Sequence, residues 1–115
     1  MPTADPIDVS HYTYRVTWSA EDEEFVATCL EFPSLSWLAP VQLQALNGLE
    51  TLIADAVADM RDQGEAVPPP LSERSYSGKF NLRVGEAMHR RLAIEAAEQQ
   101  VSINQLIVRR LSAAS

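Results

Sequence analysis

Three consecutive prolines, Pro68-Pro69-Pro70, divide this chain. Proline lacks an amide hydrogen and holds φ at about −65°, so the run can be neither helix interior nor inner strand. Residues 1–66 and 79–115 should therefore fold as separate pieces, with 67–78 as an extended, rather stiff linker. In a chain of 115 residues each piece is small. The second falls below the roughly 40 residues at which a lone core usually fails without a metal, a disulfide or a partner.

In the first piece, Tyr12-Thr13-Tyr14-Arg15-Val16-Thr17-Trp18 alternates aromatic or aliphatic residues with polar ones, the pattern of a half-buried strand. An acidic turn follows over 19–24. Phe25-Val26-Ala27-Thr28-Cys29-Leu30 reads as the returning strand, and 35–38 as a short third one after the break at Pro33. From Val41 the period changes. Leu46, Leu49, Ile53, Val57 and Met60 recur at three- and four-residue spacing, giving a helix with one apolar stripe that stops at Gly64, where a left-handed cap suits. A β-meander covered by one helix is a minimal α+β core, and Trp18 and Trp37 are expected to fill it. Cys29 is the sole cysteine, so no internal disulfide or zinc-thiolate cluster can form. It reads as a small buried residue.

The second piece opens on Lys79-Phe80-Asn81-Leu82-Arg83-Val84, polar and apolar in strict alternation. As a strand it would place Phe80, Leu82 and Val84 on one face and Lys79, Asn81 and Arg83 on the other. Those polar side chains suit base edges. Arginine grips O6 and N7 of guanine, asparagine does the same with N6 and N7 of adenine, and lysine reaches guanine or phosphate. A lone strand has unpaired edges, and pairing with the same strand of a second chain would make a ribbon sized for a major groove. Met88, Leu92 and Ala96 mark the inner line of a helix over about 86–99. A second helix opens at Ser102-Ile103-Asn104-Gln105, a capping-box pattern, with Ile103, Leu106, Ile107 and Leu111 facing inward. Its positive end offers a seat for a phosphate oxygen beside Ser102 and Asn104. Arg90, Arg91, Arg109 and Arg110 are further phosphate candidates.

The net charge of −7 would argue against nucleic acid if it were spread evenly. It is not. Residues 1–76 hold 13 Asp or Glu against three Arg, whereas 77–115 hold three Glu against six Lys or Arg, so −10 is followed by +3. The basic segment is free to meet phosphate; the acidic one suits a basic partner or simple exposure to solvent, above all at Glu21-Asp22-Glu23-Glu24.

Several classes receive no support. His11 and His89 stand in no recognisable order with a nucleophile and carboxylate, the four glycines form no phosphate-cradling loop, and Asp22 and Glu24 lack supporting metal ligands. No enzyme activity, cofactor or metal is expected. No apolar run reaches the roughly 20 residues of a membrane span, and no signal peptide pattern opens the chain, so a cytoplasmic location is expected.

On Gly78 to Val84, His89-Arg90-Arg91-Leu92-Ala93 and Val101-Ser102-Ile103-Asn104-Gln105-Leu106-Ile107, the second piece resembles a ribbon-helix-helix DNA-binding module. With the Tyr-rich strand, acidic hairpin, Phe25-Val26-Ala27-Thr28 strand and Ala-rich helix before it, the chain over about 12–113 resembles the HicB antitoxin family. The resemblance implies an α+β protein. Its amino-terminal domain would be a catalytically dead, partial ribonuclease-H-like unit that masks HicA, a small basic ribonuclease toxin. Its carboxy-terminal ribbon would bind operator DNA as a homodimer and repress its own operon, with the reading face on Lys79, Asn81 and Arg83 and backbone anchors on Ser102 and Asn104. Whether two dimers join into a tetramer stays open. Two rivals remain: a stand-alone repressor with a ligand- or protein-sensing amino-terminal domain, and a living ribonuclease-H-like enzyme.

Overall fold

The computed structural model describes residues 7–114. They form two compact units, with the boundary between Tyr76 and Ser77. In the first, a 3-10 turn at Val9–His11 precedes strands β1 (Tyr14–Ser19), β2 (Glu24–Cys29) and β3 (Ser36–Ala39) and helix α1 (Gln42–Asp62). The strands pair antiparallel in the order β1-β2-β3. Register sets Tyr14 opposite Cys29, Val16 opposite Ala27 and Trp18 opposite Phe25, while Ala27 also faces Trp37 and Phe25 faces Ala39. Because side chains alternate, these residues share the face that α1 covers. Ala27, Cys29, Ala39, Ala45, Leu49, Ile53 and Val57 are buried there. Residues 45, 49, 53 and 57 repeat every fourth position, the spacing that keeps one helix stripe on a sheet. Gly64 ends the helix as expected: at φ +71° it lets the Glu65 amide reach the Met60 carbonyl at 2.8 Å.

The tryptophans do not fill the core. Trp18 is 54% and Trp37 43% exposed, because each sits on an edge strand and its large ring extends past the width of a single covering helix. The Trp37 indole lies over Gly48 of α1 so closely that a β-carbon there would fall 2.1 Å from its Nε1. Gly48→Ala is expected to push the indole off the helix and to lower stability by up to about 2 kcal/mol. Overpacking costs typically 1–3 kcal/mol, less about 1 kcal/mol from alanine's better helix propensity. Thermal unfolding followed by tryptophan fluorescence checks it.

The first unit runs past residue 66. Val67 packs on the core and Pro70 is fully buried. The Tyr12 hydroxyl donates to the Pro68 carbonyl at 2.7 Å, and the Leu71 amide donates to Glu31 Oε2 at 2.9 Å. His11 Nδ1 meets Glu73 Oε1, and the Tyr76 hydroxyl donates to the Leu71 carbonyl at 2.8 Å. The backbone at Pro70 is extended (φ −55°, ψ 139°), as the prolines require. Instead of standing free, this stretch lies along the first unit, since Pro70 gains by burial and the Leu71 and Glu73 amides find fixed acceptors in Glu31 and the Pro70 carbonyl.

The second unit holds α2 (Glu86–Gln99) and α3 (Ile103–Ala114). Gly85 opens α2 at φ +84°, ψ 160°, a conformation essentially restricted to glycine. The helix closes on Gln100, which takes the left-handed conformation at φ 57°, with the Val101 amide bonded to the Ala96 carbonyl at 3.0 Å. Glycine is the residue that adopts this conformation without strain. Gln100→Gly is therefore expected to stabilise the second unit by about 1 kcal/mol, read as a higher unfolding midpoint in urea. Ala96 and Leu106 are buried between the helices, and Arg110 of α3 pairs with Glu95 of α2.

Residues 79–84 are not a strand in the single chain. No backbone hydrogen bond from Phe80 to Val84 falls within the described residues, and the Lys79 amide and carbonyl both bond the Ser77 hydroxyl at 3.1 Å. Alternation sorts side chains to two faces, but only a second ladder of amides and carbonyls makes a strand. Among the described residues no helix is long and apolar enough to cross a membrane.

Candidate nucleic-acid interface

The hexapeptide and the two helices enclose an open cleft of about 910 Å³. Phe80, Leu82, Leu92, Ile103, Ile107 and Leu111 supply its apolar lining. In the single chain this apolar surface is largely uncovered: Phe80 is 78%, Leu82 59% and Leu111 56% exposed. Met88 and Leu111, expected to face inward, are accordingly exposed, whereas Ala96 and Leu106 are buried and Leu92, Ile103 and Ile107 half-buried. Two short helices and a hexapeptide have too little area to bury their own apolar stripes.

Lys79, Asn81, Arg83 and Asn104 also border the cleft, and all are exposed. The side chains of Lys79, Asn81 and Arg83 make no hydrogen bond or ion pair within the described residues, so their donors remain available. Alternating order in sequence keeps them on the opposite side of the backbone from Phe80 and Leu82 whenever the segment is extended.

Ser102 has a further task. Its hydroxyl accepts from the Gln105 amide at 3.0 Å while Gln105 Oε1 accepts from the Ser102 amide at 2.9 Å, a reciprocal capping box. The Leu106 amide bonds the Ser102 carbonyl. Of the opening amides of α3, those of Ile103 and Asn104 are left without a partner among the described residues, so the anion seat at this helix start is narrower than the sequence suggests. The Ser102 hydroxyl hydrogen is still free to donate outward. Ser102→Ala is expected to lose the cap, costing about 1 kcal/mol of stability, and to weaken binding to all DNA sequences alike, because a phosphate contact carries no sequence information. Parallel titrations of specific and random duplexes measure that equality.

The four arginines divide. Arg110 is held by Glu95 and Arg109 lies 3.4 Å from Gln99 Oε1, so both bind α2 to α3. Arg90 and Arg91 are exposed and make no ion pair among the described residues. Their guanidinium groups are thus left to solvent. No group of three or more His, Cys, Asp or Glu converges to hold a metal among the described residues.

The HicB family model matches residues 63–111. No curated protein and no solved structure matches the chain. The similarity to HicB spans the proline segment, the hexapeptide, α2 and most of α3, and begins after the sheet. It therefore falls on the part of the chain that carries the uncovered apolar surface and the free polar triad.

The sequence missed Glu31, a residue of wide reach in the first unit. Its carboxylate accepts from the Thr13 amide at 2.8 Å, the Thr13 hydroxyl at 3.1 Å and the Leu71 amide at 2.9 Å. Burial acts to raise its pKa, but the amide donors of Leu71 and Thr13 outweigh it and hold the carboxyl below the usual range. No local motif marks a residue whose partners lie 18 and 40 positions away.

Proposed function

We propose that the protein is the antitoxin of a type II toxin-antitoxin pair, neutralising a HicA-like mRNA-cleaving toxin and repressing its own operon as a DNA-bound dimer. The HicB family match over residues 63–111 carries this reading. In the dimer, the hexapeptides of two chains pair antiparallel as a ribbon, which supplies the ladder that one chain lacks. Phe80 and Leu82 turn onto the helices, and Lys79, Asn81 and Arg83 point to the base edges of a major groove. The starts of α3, with Asn104, Ser102 and the amides of Ile103 and Asn104, hold the flanking phosphates. The contrast in charge between residues 1–76 and 77–115 supports the division of labour, since the basic segment meets DNA while the acidic one engages a basic toxin.

The test is co-expression with a short basic reading frame beside its gene. Co-purification of that product, relief of its toxicity and a dimer by light scattering are the expected results. A monomer that binds no upstream DNA and leaves the toxin active would refute the reading. Binding to the operator should also weaken steeply as salt rises, because each phosphate contact releases counterions.

A further inference from the structure

One end of the first unit's sheet gathers aromatic, aliphatic and acidic residues from three segments. Register places Trp18, Phe25 and Ala39 in one row across the strands. Directly beyond that row, β1 and β2 join through the acidic turn 20–23, and β3 exits through Pro40 into α1. Both connections therefore leave from the same end. Trp18 is 54%, Val41 49% and Leu43 62% exposed, while Glu21 and Glu23 are exposed and form no ion pair among the described residues.

We infer that this sheet end is the docking surface for a small cationic protein, whose arginines or lysines meet Glu21 and Glu23 around an apolar centre at Trp18, Val41 and Leu43. The inference rests on the antitoxin reading and identifies where on this chain the toxin sits. Trp18 is preset for the role: its ring stands edge-on to Phe25 at 5.1 Å, so little side-chain freedom remains to be lost on binding. Its outer face can take a guanidinium by cation–π attraction. The turn is held as well, with the Ser19 hydroxyl donating to Asp22 Oδ2 at 2.9 Å. Charge selects the occupant. With 13 acidic residues against three Arg in residues 1–76, the unit repels nucleic acid and anionic lipid, and a second copy would set like carboxylates face to face. A cationic protein is attracted at long range and finds apolar contact at short range.

The test uses the full chain and the co-purified toxin, titrated by calorimetry. Trp18→Ala and the double variant Glu21→Lys/Glu23→Lys should each weaken binding roughly tenfold or more, as interface centres do. The charge-matched control Asp55→Lys/Asp59→Lys, on exposed positions of α1, should stay within about threefold. The double variant alters only an exposed turn, so it stays informative if Trp18→Ala unfolds, which circular dichroism reveals. Wild-type affinity in the double variant, or an equal loss in the control, overturns this surface and leaves the antitoxin reading standing. Failure of the wild-type chain to bind the toxin overturns both.

Discussion

Asn81→Ala and Arg83→Ala are each expected to remove about 1 to 3 kcal/mol of discrimination between operator and random duplex, the range for a lost bidentate contact to a base. Both side chains are exposed and without partners among the described residues, so folding and dimerisation should survive the change. The pattern matters more than the size. Loss confined to the specific duplex, with random-duplex affinity nearly kept, is the signature of a base contact, whereas Ser102→Ala lowers both together. Electrophoretic or fluorescence titrations with the two duplexes at fixed salt provide the comparison. Unchanged selectivity in both variants would remove the reading face from Asn81 and Arg83.

Glu31→Ala should be the most damaging single polar substitution in the first unit. It leaves the half-buried Leu71 amide without its acceptor and the exposed Thr13 amide to water, a loss of about 1 kcal/mol for each hydrogen bond to the carboxylate. The same carboxylate sets a pH dependence. Its folded pKa lies below the ordinary glutamate value of 4.5, so the unfolded chain takes up the proton first. The stabilisation is complete above that ordinary value and is lost as pH falls through the depressed folded one. Urea unfolding between neutral and acid pH should show wild-type stability dropping in that window. Glu31→Ala should start lower and drop less. A parallel decline in the two proteins would assign the acid sensitivity to other carboxylates.

Glu31 also helps to fix where the first unit ends. Because Pro70 is buried and Leu71 is bonded, the chain from Val67 to Tyr76 belongs to the first unit, and the passage to the second begins near Ser77.

Local pattern alone was enough for the hairpin of β1 and β2, the extents of α1 and α2, the glycine cap at Gly64 and the capping box at Ser102 and Gln105. These depend on side-chain period and on partners within five residues, and both are written in the order of the chain. The tertiary structure decided the rest. Glu31 draws together Thr13 and Leu71, the prolines lie on a core, Trp37 covers Gly48, and Trp18 stays half in solvent, because packing across long separations follows from shape and not from period. The hexapeptide shows the boundary most plainly. Its alternation was evident in the sequence, yet among the described residues it forms no ladder, because alternation sorts side chains and does not supply a pairing strand.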